Sequence, residues 1–436
     1  MVRKIFLFGL IFLVIIILPS NLLAEEKEEI LPVSILWSIP FVALLLSISF
    51  IPLINKKWWD KNYPIVSIIL GLIVAFYYLN FNPKRFMHSM LEYFSFISLI
   101  GSLFVVSGGI LIKSTRRGTP FVNAVILAIG AVISNIFGTT GASMLLIRPY
   151  IRLNRYRFKP YHLVFFIFIV SNIGGCLTPI GDPPLFLGYL KGIPFFWFTK
   201  NLIPFWLIEV IIVIGIFFVI DFINYRKLKE EAHPKVPPHF EVKGLKNLVF
   251  IFLILFAVFV KTPFREAIMI LSAVASYIFT EREIHHDNEF NFHPITEVAI
   301  LFLGIFSTMT PALDWLELNA KILGITSPLI FFWATGTFSS FLDNAPTFLT
   351  FLSTAIGVTG LNIHQLLIQK PLYIKAISAA AVFFGANTYI GNGPNFMVKS
   401  IAEHSHLKAP HFLEYIYKYS LPLLIPTYII ISIIFF

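Results

Sequence analysis

Chemistry in this chain concentrates where one short sequence occurs twice. Thr178-Pro179-Ile180-Gly181-Asp182-Pro183-Pro184-Leu185-Phe186 returns as Thr388-Tyr389-Ile390-Gly391-Asn392-Gly393-Pro394-Asn395-Phe396. Thr, Ile, Gly, Pro and Phe coincide, and Asp182 answers Asn392. Each copy interrupts an apolar run. Proline removes a helical donor and clashes with the preceding turn, while glycine enters conformations other residues avoid. The backbone therefore unwinds at both places and frees carbonyls and amides at the ends of half-helices. Carbonyls with Thr and Asn oxygens suit a small hard cation, and amide ends suit an anion; a paired break of this kind marks a membrane transport site.

The ionisable residues bear on that choice. Asp182 lies inside the first break and Asp343 in Ser339-Ser340-Phe341-Leu342-Asp343-Asn344-Ala345-Pro346-Thr347. Intramembrane carboxylates are costly and functional by default. A low dielectric makes such a group easier to protonate, and a carboxylate alternating between H+ and Na+ is the minimal device for exchange. An organic anion would meet both charges as repulsion, about 3 kcal/mol for each pair at roughly 5 Å and an effective dielectric near 20. Lys399, two turns past the second break, could offset this, or could snorkel to the cytoplasmic interface.

Other candidates carry less. His285, His286 and His293 share one loop, and His404, His406 and His411 another, without the carboxylate or cysteine spacing of a metal site. Cys176, the single cysteine, reads as a small buried residue and forms no intramolecular disulfide. Two buried aspartates also suggest an intramembrane protease, but position 179 is Pro where that chemistry's Gly-x-Gly-Asp motif needs Gly, and Leu342 replaces the expected Tyr. No catalytic residue and no cofactor are expected.

The elements that position these residues are membrane helices. Of 436 residues, 57% are hydrophobic and 13% charged, too few charges to coat a soluble protein of this length. The 48 Phe residues read as lipid-facing filler. The net charge of +10 lies in short clusters between apolar runs, the pattern of cytoplasmic loops and not of nucleic-acid binding. Spans are expected at about 33–54, 63–81, 90–112, 162–190, 203–223, 247–261, 265–280, 296–310, 373–400 and 413–436. Lys56, Lys57 and Lys61, then Lys113, Arg116 and Arg117, then Arg226, Lys227, Lys229, Lys235, Lys243 and Lys246 place their loops inside. Residues 1–24 read either as a signal peptide cleaved after Ala24 or as an uncleaved first helix.

One apolar stretch, 119–147, has basic residues on both flanks, with Arg148, Arg152, Arg155, Arg157 and Lys159 following it. It should enter and leave on the same side as a re-entrant hairpin, its tip in Ser134-Asn135-Ile136-Phe137-Gly138-Thr139-Thr140. A second hairpin, at about 328–357 and without basic flanks, would enter from outside. The expected fold is thus an all-α polytopic membrane protein of about 10–11 transmembrane helices with two re-entrant hairpins in two inverted repeats. The repeats would cover 33–223 and 247–436, with a cytoplasmic loop at 224–246.

At these motifs the sequence resembles the ion-transporter superfamily, which includes sodium/proton antiporters, citrate and dicarboxylate carriers and arsenite permeases. Within it the chain is most similar to the citrate-transport family, many of whose members are labelled sodium/proton antiporters. The resemblance spans about 33–436. It implies a scaffold, a mobile transport domain carrying both hairpins and both broken helices, an elevator movement, and a homodimer in a bacterial inner membrane. It also implies that Ser134, Asn135, Thr139 and Thr140 are ligands at the first tip, and that Asn172, Thr178 and Asp182 line the first break. Asp343, Asn344 and Thr347 would form the second tip, and Asn387, Thr388 and Asn392 the second break, with Gly181 and Gly391 at the crossings. Carboxylate carriers repeat Ser-Asn-Thr at both tips, whereas here the tips read Ser134-Asn135-Ile136 and Asp343-Asn344-Ala345. That departure leans toward Na+/H+ exchange at Asp182 and Asp343. Citrate or dicarboxylate uptake with Na+ or H+ is the alternative, arsenite export a more distant one.

Overall fold

In a computed structural model of the chain, residues 30–114, 118–227 and 240–436 are described. Residues 1–24, Arg116, Arg117 and the 228–239 part of the expected loop lie outside them. The helices are α1 (Ile39–Phe81), α2 (Pro83–Gly108), α3 (Pro120–Asn154), α4 (Pro160–Ile169), α5 (Pro183–Leu190), α6 (Phe195–Arg226), α7 (Asn247–Ala257), α8 (Phe264–Phe279), α9 (His293–Asn319), α10 (Pro328–Ser339), α11 (Asn344–Thr359), α12 (Ile363–Gln369), α13 (Pro371–Phe384), α14 (Gly393–His404) and α15 (Ile425–Phe435). Proline opens α2, α3, α4, α5, α10 and α13, at the one helical position that loses nothing by lacking an N–H. Among the described residues seven helices are long and apolar enough to cross a membrane, and α11 and α12 together have that length and composition but bend by 75°. The protein is an all-α polytopic membrane protein. An antiparallel strand pair, Leu111–Ser114 with Phe240–Lys243, joins two connecting segments.

Several helices outrun the apolar stretches that announce them. The two spans expected at 33–54 and 63–81 form a single helix, α1, kinked at Asn55 (φ −147°, ψ 81°). The Lys56–Lys61 segment is helical because the Asn55 side chain accepts from Trp58 N at 3.1 Å and restarts the helix as a cap. Charged or polar ends likewise extend α2, α6 and α9 beyond 90–112, 203–223 and 296–310.

Within α3 the chain reverses direction. The α3 helix reverses at Gly138 (φ +74°), where a Cβ would strain the backbone and lie 3.2 Å from the Ile180 carbonyl. Asn123 and Asn154, which a straight helix would hold roughly 46 Å apart, exchange hydrogen bonds of 2.9 and 2.8 Å. Likewise α10 folds back on α11: Phe331 and Phe338 both meet the Phe351 ring edge-on.

Two groups of helices result. In one, α1 lies along α9, and α2 along α8 and α9. In the other, both hairpins enclose α4 and α13, the helices that lead into the breaks. Tyr161 to Ile169 and Ala376 to Phe384 are buried without interruption, as expected of helices apolar all round. Polar ties between the groups include Lys191–Glu92 at 2.8 Å, Arg148–Glu289 at 3.3 Å and Ser353–Glu317 at 3.0 Å.

Arg157, read as one of the interfacial charges, is buried instead. Its guanidinium forks onto Asp221 of α6 at 2.5 and 2.8 Å. Tyr161 (2.6 Å) and Asn123 (3.0 Å) donate to the same carboxylate, which fastens the base of the first hairpin to α6. Removing one partner strands a buried charge, so Asp221→Asn should cost roughly 3–5 kcal/mol. The measurement is the thermal unfolding midpoint in detergent; Lys243→Gln, at a surface ion pair, should leave it in place.

Candidate functional site

The local chemistry of each break rests on one threonine. In the first, Thr178 Oγ1 donates to Asn135 O of the hairpin tip (2.6 Å) and accepts from Gly181 N (3.0 Å). In the second, Thr388 Oγ1 donates to Ser340 O (2.5 Å) and accepts from Gly391 N (3.1 Å). Each break also crosses itself at glycine. A Cβ on Gly181 would fall 2.2 Å from Gly175 O, and one on Gly391 2.6 Å from Gly385 O. The shared Thr and Gly thus mark the same hydrogen-bonding device.

The tip residues finish the repair. Asn135 donates to Ala131 O (3.0 Å) and Gly174 O (2.6 Å) and accepts from Leu177 N (2.8 Å). Ser134 donates toward Gly130 O and Val170 O, each at 2.8 Å. Across the second break Ser339 donates to Ala381 O (2.6 Å), and Asn387 donates to Ser340 Oγ (2.9 Å). These bonds put Ser340 in the place of Asn135. Reading Asp343-Asn344 against Ser134-Asn135 is therefore off by one helical turn. One turn past Asn135 is Thr139, and one turn past Ser340 is Asn344.

Thr139 and Asn344 both reach the same carboxylate. Thr139 Oγ1 donates to Asp182 Oδ1 at 2.7 Å, and Asn344 Nδ2 donates to Asp182 Oδ2. Asn392 Nδ2 adds a contact to Asp182 Oδ1 at 3.1 Å and others to Asn172 Oδ1 (3.2 Å) and Ser171 O (3.1 Å). Two tips and two breaks thereby converge on one group, which is 1% exposed. Behind them Asn172 donates to Asn395 Oδ1 (2.7 Å), and Asn395 donates to Gly385 O (2.8 Å) and Thr388 O (2.9 Å). All three contacts come from neutral polar side chains, one hydroxyl and two amides. Among the described residues no cationic side chain pairs with it.

Other expected residues stand elsewhere. Asp343 is half-buried and caps α11, accepting from Ala345 N at 3.1 Å. It does not hydrogen-bond to Asp182, though it is near enough to act on it through space. Thr347 donates to Asp343 O at 2.9 Å, within its own helix. Thr140 is half-buried, on a cavity lined also by Leu103, Phe137, Pro179, Ile180 and Phe186. Lys399 pairs with Glu403 at 3.3 Å and lies over the ring of Tyr389 in the second break at 5.1 Å, with no hydrogen bond or ion pair to Asp182. Ser171, Ser340 and Asn395 were not singled out in the sequence. Asn395 had a signal, since it replaces Leu185 in the repeated motif.

The fold and this centre define a polytopic membrane protein with a polar core around one buried carboxyl, where two interrupted helices and two hairpin tips meet. The family model described as "Putative citrate transport" matches residues 30–436, and the chain belongs to that family. It is a secondary transporter. No protein of curated function matches it.

The two amide hydrogens of Asn392 are shared among three buried acceptors, Ser171 O, Asn172 Oδ1 and Asp182 Oδ1, and a buried acceptor left alone costs about 1–3 kcal/mol. Asn392→Leu should therefore lower the unfolding midpoint in detergent clearly, whereas Thr140→Val should barely move it.

Proposed function

We propose that the protein is a cation-coupled secondary transporter exchanging Na+ for H+, with Asp182 as the group that handles the cation. The observation behind this reading is the Asp182 carboxyl itself, buried and contacted by three neutral polar side chains from three different elements. A Na+ or H+ entering this centre neutralises the charge and releases some of those donors. Because the donors belong to both hairpins and to the opposite break, occupancy is felt across the whole centre. Ser134, Asn135, Thr178, Asn387, Thr388, Gly181 and Gly391 hold the backbone open, and Asn172 supports Asn392 from behind. Asp343, next to Asn344, adds negative potential on the approach.

The two hairpins and breaks form inverted halves in this reading, and their group of helices moves against α1, α2, α7, α8 and α9, within a homodimer as the resemblance implies. Such movement must break Lys191–Glu92 and Ser353–Glu317.

A second reading, citrate carried with its coupling cations, is favoured by the family description. It also has the N-termini of α5 and α14, which start at the breaks and favour negative charge. Proteoliposomes loaded with a pH-sensitive dye separate the two. Adding Na+ or Li+ should release protons in the wild type, and Asp182→Asn should reduce that release to background. Silence with both cations, together with uptake of labelled citrate or succinate, would reject exchange and establish the second reading.

A further inference from the structure

On the reverse face of the broken helices another carboxyl is buried in apolar surroundings. Glu209, in the middle of α6, is 0% exposed. Its Oε1 lies 2.6 Å from Thr427 Oγ1, and Thr427 Oγ1 lies 2.7 Å from Leu424 O. Its other oxygen, Oε2, has no partner. A threonine hydroxyl carries one hydrogen, and a backbone carbonyl carries none. If Thr427 donates to Glu209, its oxygen faces the Leu424 carbonyl with nothing between them. Both contacts are hydrogen bonds only if Thr427 donates to Leu424 O and Glu209 donates to Thr427. Glu209 then carries a proton.

Proton counting thus separates the two buried acids. Around Asp182 two side-chain amides are available to donate; around Glu209 the one polar neighbour, Thr427, has its single hydrogen committed when it serves Leu424 O. An anion at Glu209 would have a single hydroxyl and no cation to hold it, so its proton is kept by the fold and lost only with rearrangement. Other titratable groups pack against α6 as well. Cys176 lies in the first break, Tyr150 on α3, Tyr161 and His162 on α4, Lys375 on α13, and Tyr415 and Tyr428 on the C-terminal segment. Of these groups none hydrogen-bonds or ion-pairs with Glu209, whose one hydrogen-bonding neighbour among the described residues is Thr427. Tyr161 and His162 are engaged with Asp221, about three turns further along α6.

The position also ties the two breaks together. One turn before Glu209, Trp206 Nε1 donates to Gly174 O (3.0 Å), the carbonyl of the first break that Asn135 also serves. One residue after Thr427, Tyr428 donates to Phe383 O (2.6 Å) at the entrance to the second, and Tyr415 donates to Ala386 O (2.8 Å) within it. The helix bearing Thr427 follows a π-helical stretch, Ile416–Leu424, which ends at the carbonyl that terminates the proton chain. Such widened turns recur at functional sites because their backbone can reset.

We propose that Glu209 is a second proton-binding site, whose proton joins α6 to the C-terminal helix α15 and whose loss lets them separate. The proposal rests on the cation-coupled reading above and adds to it a proton site distant from Asp182.

Infrared spectroscopy of the full chain in lipid reads that proton directly. At neutral pH the wild type and Asp182→Asn should both show a protonated-carboxyl C=O band that Glu209→Gln lacks, and Thr427→Val should shift its frequency. In dye-loaded proteoliposomes, Glu209→Gln should remain active while the wild type's fall in rate with rising pH, about tenfold per unit past the titration point, is flattened. Absence of a band removed by Glu209→Gln would overturn the proposal, as would a Glu209→Gln pH profile identical to the wild type. The band is independent of what is carried, so the proton site can stand or fall apart from Na+/H+ exchange.

Discussion

Backbone polar groups cannot be left bare in hydrocarbon, where each unpaired amide or carbonyl costs several kcal/mol. This protein breaks two helices in the middle of its most buried region, so everything around the breaks is organised to supply the missing partners. Thr178 and Thr388 do so inside the breaks. Asn135, Ser134, Ser339 and Ser340 do so from the hairpin tips. The hairpins are repair elements as much as ligand carriers, because their polar residues have no water to bind and their neighbours' carbonyls have no helix.

That constraint also explains why the centre is so responsive to charge. With the backbone satisfied by Thr, Ser and Asn, the groups left over at the crossing are Thr139, Asn344, Asn392 and Asp182. Three of them are neutral donors and one is an acceptor. Asp182 is touched by residues of three other elements, so a change in its charge would bear on all of them. Asp343 shows the contrast: one residue from Asn344, its carboxylate serves the end of α11 instead.

Buried charge is used differently away from the centre. Asp221 is held by Arg157, Tyr161 and Asn123, a fully supplied anion that anchors the first hairpin to α6. Glu209, on the same helix, has no such supply and is neutral by proton count. Two carboxyls on one helix therefore take opposite forms because their neighbours differ, with donors around one and a spoken-for hydroxyl beside the other.

The sequence alone determined the membrane class and the places where Gly and Pro interrupt two apolar runs. These follow from local rules: apolar length, charge flanking a span, and Gly and Pro in a repeated motif. Asp182 stood out because a carboxylate in such a break is costly wherever it sits. Tertiary structure decided which residues meet, since contacts between Asp182 and Asn344 or between Asn172 and Asn395 join positions far apart in the chain. It displaced Lys399 toward Glu403, moved the match between tips by one turn, and buried Arg157, because partner geometry overrides residue type. The protonated state of Glu209 was beyond sequence for the same reason. A proton's place is fixed by which donors and acceptors face it, and that is settled only when α6 packs against the helix carrying Thr427.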